Sequence, residues 1–152
     1  MSTSTVSRAK DRIDFQVFNE IGIIAQLSQN RMERSLPKGM SMAQFSVLNH
    51  FSRLGGTSTP AVLAGVFQVT KGAMTNTLQK LEAQGFISME PHTDDGRKKV
   101  VAMTPKGVSA HAEALIAVRP RLESVRTAFS DGEFENALPF LKALRHWLDH
   151  HR

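Results

Sequence analysis

Cysteine is absent from all 152 residues, which excludes disulfides, thiolate metal sites and cysteine-based redox sensing. No apolar run approaches the ~20 residues that span a bilayer. The opening MSTSTVSRAKDR lacks the apolar core of a secretory signal, so the expected location is the cytoplasm, with no membrane partner. Zinc-protease, P-loop, dinucleotide and nucleophile-elbow motifs are missing too. No catalytic residue, cofactor or metal is therefore expected, and the chain does not read as an enzyme. One further absence is local. No acidic residue lies between Glu33 and Glu82, although Arg34, Lys38, Arg53, Lys71 and Lys80 fall in that stretch. With 14 acidic residues in the whole chain, an even spread would place several there. Together with a net charge of +5, this points to an anionic partner for the surface that the segment presents.

What is there is mostly helical periodicity. Residues 9–35 read as a first helix, with Val17, Phe18, Ile21, Ile24 and Leu27 at three- and four-residue spacing. Leu36-Pro37-Lys38-Gly39 stops it. Ser41 and Gln44 form a capping box that opens a second helix, with Phe45, Leu48, Phe51 and Leu54 inward. Thr59 caps a short third helix whose first position, Pro60, needs no amide hydrogen. Thr70 starts a fourth, with Met74, Leu78 and Leu81 inward and Gly85 as its stop. Two strands around a tight turn at Asp94-Asp95-Gly96 follow. Thr104-Pro105 opens a long fifth helix, in which Val108, His111, Leu115, Val118, Leu122, Val125 and Phe129 keep the alternation of a helix–helix seam. Pro120 should kink it. Ser130 and Glu133 cap a last helix, with Phe134, Leu138, Leu141, Leu144 and Leu148 on one face.

The expected fold is mainly α with a small β-hairpin: a winged helix-turn-helix lobe over residues 41–107, within a single domain of residues 1–152. Residues 9–35 and 105–150 supply flanking helices too apolar for so small a core, and these are read as dimerisation helices.

The chemistry lies on the fourth helix and the hairpin. In a helix-turn-helix the second helix enters the major groove, and its early residues touch base edges. Gly72, Thr75, Asn76 and Gln79 share an outward face that is small and polar. Asn76 suits a bidentate pair with adenine, and Thr75 suits base edges or a thymine methyl. Thr70, Lys71 and Gly72 lie at a helix N-terminus, where an anion is favoured. Thr59, at the start of the third helix, and Lys80 suit phosphates. Beyond the hairpin turn, Arg97 is placed to enter a minor groove, with Asp95 holding the guanidinium by a local salt bridge and Lys98 and Lys99 meeting phosphates. The competing reading is a solvated helix face and ordinary turn chemistry.

The runs PAVLAGVFQVTKGAMTNTLQKLEAQGFI and PHTDDGRKKVVAMTPKG resemble the MarR family of bacterial transcriptional regulators. The most specific parts are the spacing from Leu63-Ala64 to Leu81-Glu82, the Gly85 stop, the Asp95-x-Arg97 pair, and the exit Met103-Thr104-x-x-Gly107. The resemblance implies a homodimer built by interlocking first and last helices. Its partner would be double-stranded DNA carrying a pseudo-palindromic operator. In many members a small, often aromatic or phenolic, ligand bound between the dimer helices and the DNA-binding lobe releases the DNA, which implies a repressor. The chain departs from the pattern at Asn76, where arginine is common, at Met89 and Glu90, where a basic residue is common, and at Gly96, which replaces a frequent second arginine. These departures imply weaker electrostatic binding. The alternative is a winged-helix interaction module without DNA binding, whose fourth helix should be apolar or acidic outward.

Histidines complete the list. His50 and His111 lie on largely apolar faces, where a satisfied core histidine is the default reading and a ligand pocket the sharper one. His146 and His150 have the i, i+4 spacing that metal ligands can use, but a solvated tail is the expected reading.

Overall fold

The computed structural model of the protein describes residues 12–152. The chain divides into two compact units, the first running through Ser35 and the second spanning Leu36–Arg152. The first contains helix α1 (Ile13–Glu33), which buries none of its residues. Phe15, Phe18, Ile24 and Leu27 all stand exposed on it. Of the expected helix over 9–35, residues 9–11 lie outside the described residues.

The second unit runs α2 (Met42–Leu54), β1 (Thr57–Ser58), α3 (Pro60–Phe67), α4 (Lys71–Ala83), β2 (Ile87–Pro91), β3 (Lys99–Met103), α5 (Pro105–Arg126) and α6 (Asp131–His150). Each helix starts where a side-chain oxygen accepts an otherwise unpaired amide. Ser41, Thr59, Thr70, Thr104 and Ser130 accept from Gln44, Val62, Ala73, Gly107 and Glu133 respectively. Both expected capping boxes are complete. Helix α4 ends in a Schellman arrangement: Phe86 N–H reaches the Leu81 carbonyl at 3.0 Å and Gly85 N–H the Glu82 carbonyl at 2.9 Å. Gly85 holds φ +77° there, in the left-handed region where a Cβ is penalised.

Leu48, Leu63, Leu78, Leu81, Val101 and Val118 are almost fully buried. One core thus gathers α2, α3, α4, β3 and α5, and each such leucine contributes roughly 1.5–3 kcal/mol by its burial. The exit from the sheet is locked by backbone. Thr104 N–H donates to the Phe86 carbonyl at 3.0 Å, and Thr104 Oγ1 donates to the Gly85 carbonyl at 2.6 Å. A Cβ on Gly107 would lie 2.0 Å from that Phe86 oxygen. The spacing Met103-Thr104-x-x-Gly107 therefore has a physical reason: α5 starts against the end of α4 with no room for a side chain.

Three expectations need correction. The sheet has three strands in the order β1-β3-β2, not two. Thr57 and Ser58 pair antiparallel with Ala102 and Val101 on the free edge of β3. Leu54 is 61% exposed, because the helix ends there and points it away from the core. The seam of α5 is split between two surfaces. His111 and Val118 join Gly107, Ala110 and Ala114 in the buried face, whereas Val108, Leu115, Leu122, Val125 and Phe129 are exposed. Helix α6 buries no residue, so Phe134, Leu138, Leu141 and Leu148 remain at the surface.

Candidate nucleic-acid interface

The turn between α3 and α4 is set by a residue that sequence reading does not flag. Gln68 takes the left-handed conformation, φ 53°, without being glycine. Val69 N–H then reaches the Ala64 carbonyl at 3.1 Å, and Gln68 Nε2 donates to the Gly65 carbonyl at 2.7 Å. The left-handed residue turns the chain sharply, and Thr70 starts α4 two residues later. Helix α4 is pinned at its other end by a polar chain. Gln44 Nε2 donates to Gln84 Oε1, and Gln84 Nε2 donates to the Gly39 carbonyl, both at 2.9 Å. Gln44 is buried and also closes the α2 capping box. One side chain therefore fixes the start of α2 and the end of α4 together.

Met74, Leu78 and Leu81 hold α4 to the core, which leaves Gly72, Thr75, Asn76 and Gln79 exposed or half-exposed along its outer side. The flank of α4 nearest the wing lines a groove of ≈ 730 Å³. Thr59, Lys71, Thr75, Gln79, Arg97, Lys98 and Lys99 meet in it. Seven of the residues singled out from sequence thus converge from α3's cap, α4 and the wing. Thr70, Gly72, Asn76 and Asp95 lie outside that lining. Lys80 lies on the far flank, beside Gly39, Ser41 and Gln84, because the helical rotation carries it away from Lys71 and Thr75. Sequence reasoning missed the apolar wall of the groove, Pro60, Ala61, Val62 and Met89, and the acid at its edge, Glu82. Val62 is an apolar residue of α3 left 56% exposed.

The wing tip is built by Asp95, though not through a salt bridge. Its Oδ1 accepts the Arg97 backbone N–H at 3.0 Å, and its carbonyl accepts Lys98 N–H at 3.0 Å. His92 N–H donates to the Lys98 carbonyl at 2.7 Å and closes the loop below. This is an Asx turn inside a β-turn, and it places Arg97 at the tip. The expected Asp95–Arg97 ion pair does not form. Arg12, Arg126, Arg145 and Arg152 form ion pairs, whereas among the described residues none joins Lys71, Arg97, Lys98 or Lys99 to a carboxylate.

The histidines separate. His111 is buried, stacks on Phe45 at 5.5 Å and places Nε2 3.0 Å from Asn49 Oδ1. Burial holds its pKa below the ordinary value. His50 packs edge-on against Phe51 and Phe67, and its Nδ1 is buried with no hydrogen-bond partner. Burial first, then the charge of Arg53, lowers its pKa. The His146 and His150 rings lie 4.2 Å apart on α6, but no group of three or more metal-ligating side chains forms among the described residues. No helix among those residues is long and apolar enough to cross a membrane.

Comparison with known proteins agrees with this geometry. The MarR family profile matches residues 38–98. The multiple antibiotic resistance protein MarR of Salmonella typhimurium is 33% identical over 101 residues, covering 61% of this chain and 69% of that protein. Two solved structures share the fold. One is a cysteine-to-serine mutant of MarR from E. coli complexed with operator DNA, with a TM-score of 0.67 and 24% identity over 85% of this chain and 93% of that one. The other is Bordetella bronchiseptica BpsR, solved to explain regulation of its DNA binding by 6-hydroxynicotinic acid, with a TM-score of 0.69 and 18% identity over 85% of this chain and 98% of that one. With its helix-turn-helix, its wing and a relative at this identity and coverage, the chain belongs to the MarR family of transcriptional regulators.

Proposed function

We propose that the protein is a homodimeric, sequence-specific DNA-binding repressor acting in the cytoplasm as a binding protein rather than an enzyme. The observation that carries this reading is the groove in which Lys71, Arg97, Lys98 and Lys99 meet Thr59, Thr75 and Gln79, with no carboxylate among the described residues paired to any of these cations. Such a surface suits a polyanion with readable edges. The outer side of α4 enters the major groove, where Thr75, Asn76 and Gln79 meet base edges. Thr70, Lys71 and Gly72 lie against a phosphate at the helix N-terminus. Arg97 enters the adjacent minor groove, and Lys80, Lys98 and Lys99 reach flanking phosphates.

Helices α1, α5 and α6 form the dimer, since each keeps large apolar side chains exposed among the described residues. Residues 41–107 act as the reading lobe. The two lobes then sit over half-sites about 34–36 Å apart. A small aromatic or phenolic ligand that prefers another lobe separation shifts the population away from DNA. Regulation of BpsR by 6-hydroxynicotinic acid supports this part, and His50, with its unpaired buried Nδ1, is the side chain assigned to meet the ligand. An interaction module without DNA binding is disfavoured by the outer side of α4, which is neither apolar nor acidic.

Selection of bound duplexes from a random library, followed by footprinting, tests the reading. A pseudo-palindrome protected over two successive major grooves is the expected result. Recovery of no preferred sequence would overturn it.

A further inference from the structure

The Gly65 carbonyl, in the last turn of α3, receives more donors than the turn alone requires. Gln68 offers it both its backbone N–H, at 3.3 Å, and its side-chain Nε2, at 2.7 Å. A third donor comes from the far end of the chain: Arg152 Nη1 donates to the same oxygen. Arg152 is itself held. Its Nη2 donates to Asp149 Oδ1 at 2.8 Å, and Asp149 Oδ2 accepts from Arg145 Nη1 at 3.1 Å. A continuous chain of hydrogen bonds therefore runs from Arg145 and Asp149 on α6, through Arg152, to the helix-turn-helix.

Two features make this more than a surface ion pair. The carbonyls of a helix's last turn carry the negative end of its dipole, so a guanidinium is favoured there even on an oxygen that Gln68 already serves. In addition, the planar fork of arginine presents separate nitrogens to Asp149 and Gly65 in one fixed geometry, whereas an ammonium offers its three donors from a single rotating point. Meanwhile α6 buries none of its own residues. A helix with no buried face is oriented by whatever ties it down, and Arg152 is a tie placed at the turn that sets the direction of α4.

We propose that Arg152 is a positioning residue for operator recognition. By bridging Asp149 to the Gly65 carbonyl it fixes the angle between α6 and the helix-turn-helix, and so sets which half-site spacing the dimer accepts. This rests on the dimeric DNA-binding reading above.

Full-length wild type, Arg152→Met and Arg152→Lys are compared in two measurements. The first is hydrogen exchange of the free proteins. Arg152→Met is expected to speed exchange at the Gln68 and Val69 amides by about threefold or more, while α1 is unchanged. The second uses the duplex selected by the wild type, with one base pair added or removed between half-sites. The wild type should prefer the native spacing sharply. Arg152→Met should lower that preference about threefold or more while remaining a dimer by light scattering, and Arg152→Lys should fall between the two. Unaltered exchange at Gln68 and Val69 would overturn the proposal without reference to DNA. So would a uniform loss of affinity at all spacings, because that is what removing a phosphate-binding cation does. Failure of the wild type to select any duplex would instead count against the DNA-binding reading, and the exchange experiment would still decide whether the tie exists.

Discussion

Removing the Asp95 carboxylate separates two accounts of the wing tip. Its Oδ1 accepts the Arg97 amide rather than the guanidinium, so its work is to shape the turn. Asp95→Ala is expected to weaken operator binding by roughly 1 kcal/mol, about fivefold, although it removes a negative charge. Asp95→Asn keeps an acceptor oxygen and loses the charge, so it should bind as tightly as the wild type or tighter. Fluorescence anisotropy on one operator decides this, and weak binding by Asp95→Asn would restore the salt-bridge account. At the base of the wing the constraint is steric. Gly107→Ala places a methyl carbon 2.0 Å from the Phe86 oxygen, and the shift this forces should cost about 1–3 kcal/mol or more, read from the urea midpoint. His50 and His111 add a pH dependence. Both are held below the ordinary value near 6.5, so below that value the unfolded chain takes up protons that the folded one refuses. Their contribution is complete above pH ~6.5 and declines as pH falls through that value toward the folded pKa values. The urea midpoint should therefore drop between about pH 7.5 and 5.5, and His50→Phe with His111→Gln should flatten that drop.

Among the elements, α4 and the wing are assigned different work in the proposed interface. Asn76→Ala is expected to relax preference at one base step of each half-site by roughly 1–3 kcal/mol. Lys98→Ala should instead weaken all sequences alike and reduce the slope of log affinity against log salt by about 0.9 for each phosphate no longer neutralised. A competition series over single-base operator variants at two salt concentrations distinguishes them. The elements themselves were mostly legible in the sequence, because their starts are local chemistry: a hydroxyl or a capping box before an apolar repeat. Strand β1 was not legible, since Thr57 and Ser58 have no periodicity and become a strand only because β3 offers them an edge. The αα turn was legible as a turn, but not its mechanism, because a left-handed position is ordinarily marked by glycine and here is Gln68. The repeat along α5 announced an apolar stripe without saying that two different surfaces divide it. The residues of the candidate interface were readable as a face of α4 and a cationic wing. The groove joining them, with Val62 and Met89 in its wall, depends on tertiary approach and left only a faint trace.

On the scale of the whole molecule, the exposed apolar side chains of α1 and α6 are what the proposed dimer would cover. Deleting the chain from Ser130 onward is expected to leave a folded lobe, because α6 contributes no buried residue to it, yet to abolish the dimer and tight operator binding. Light scattering checks the first outcome and anisotropy the second; a stable monomer from the intact chain would contradict the dimeric account. The stretch from residue 34 to 81 that holds no acid has a kinetic consequence. It covers α2, α3 and most of α4, so the proposed reading surface would meet any duplex with little of its own negative charge to repel it, whatever the base sequence. Weak, salt-sensitive association of that kind lets a protein slide and hop along DNA. The search for an operator then proceeds along the chromosome rather than through the surrounding solution, and raising the salt concentration should slow arrival at the site as well as loosen the final complex.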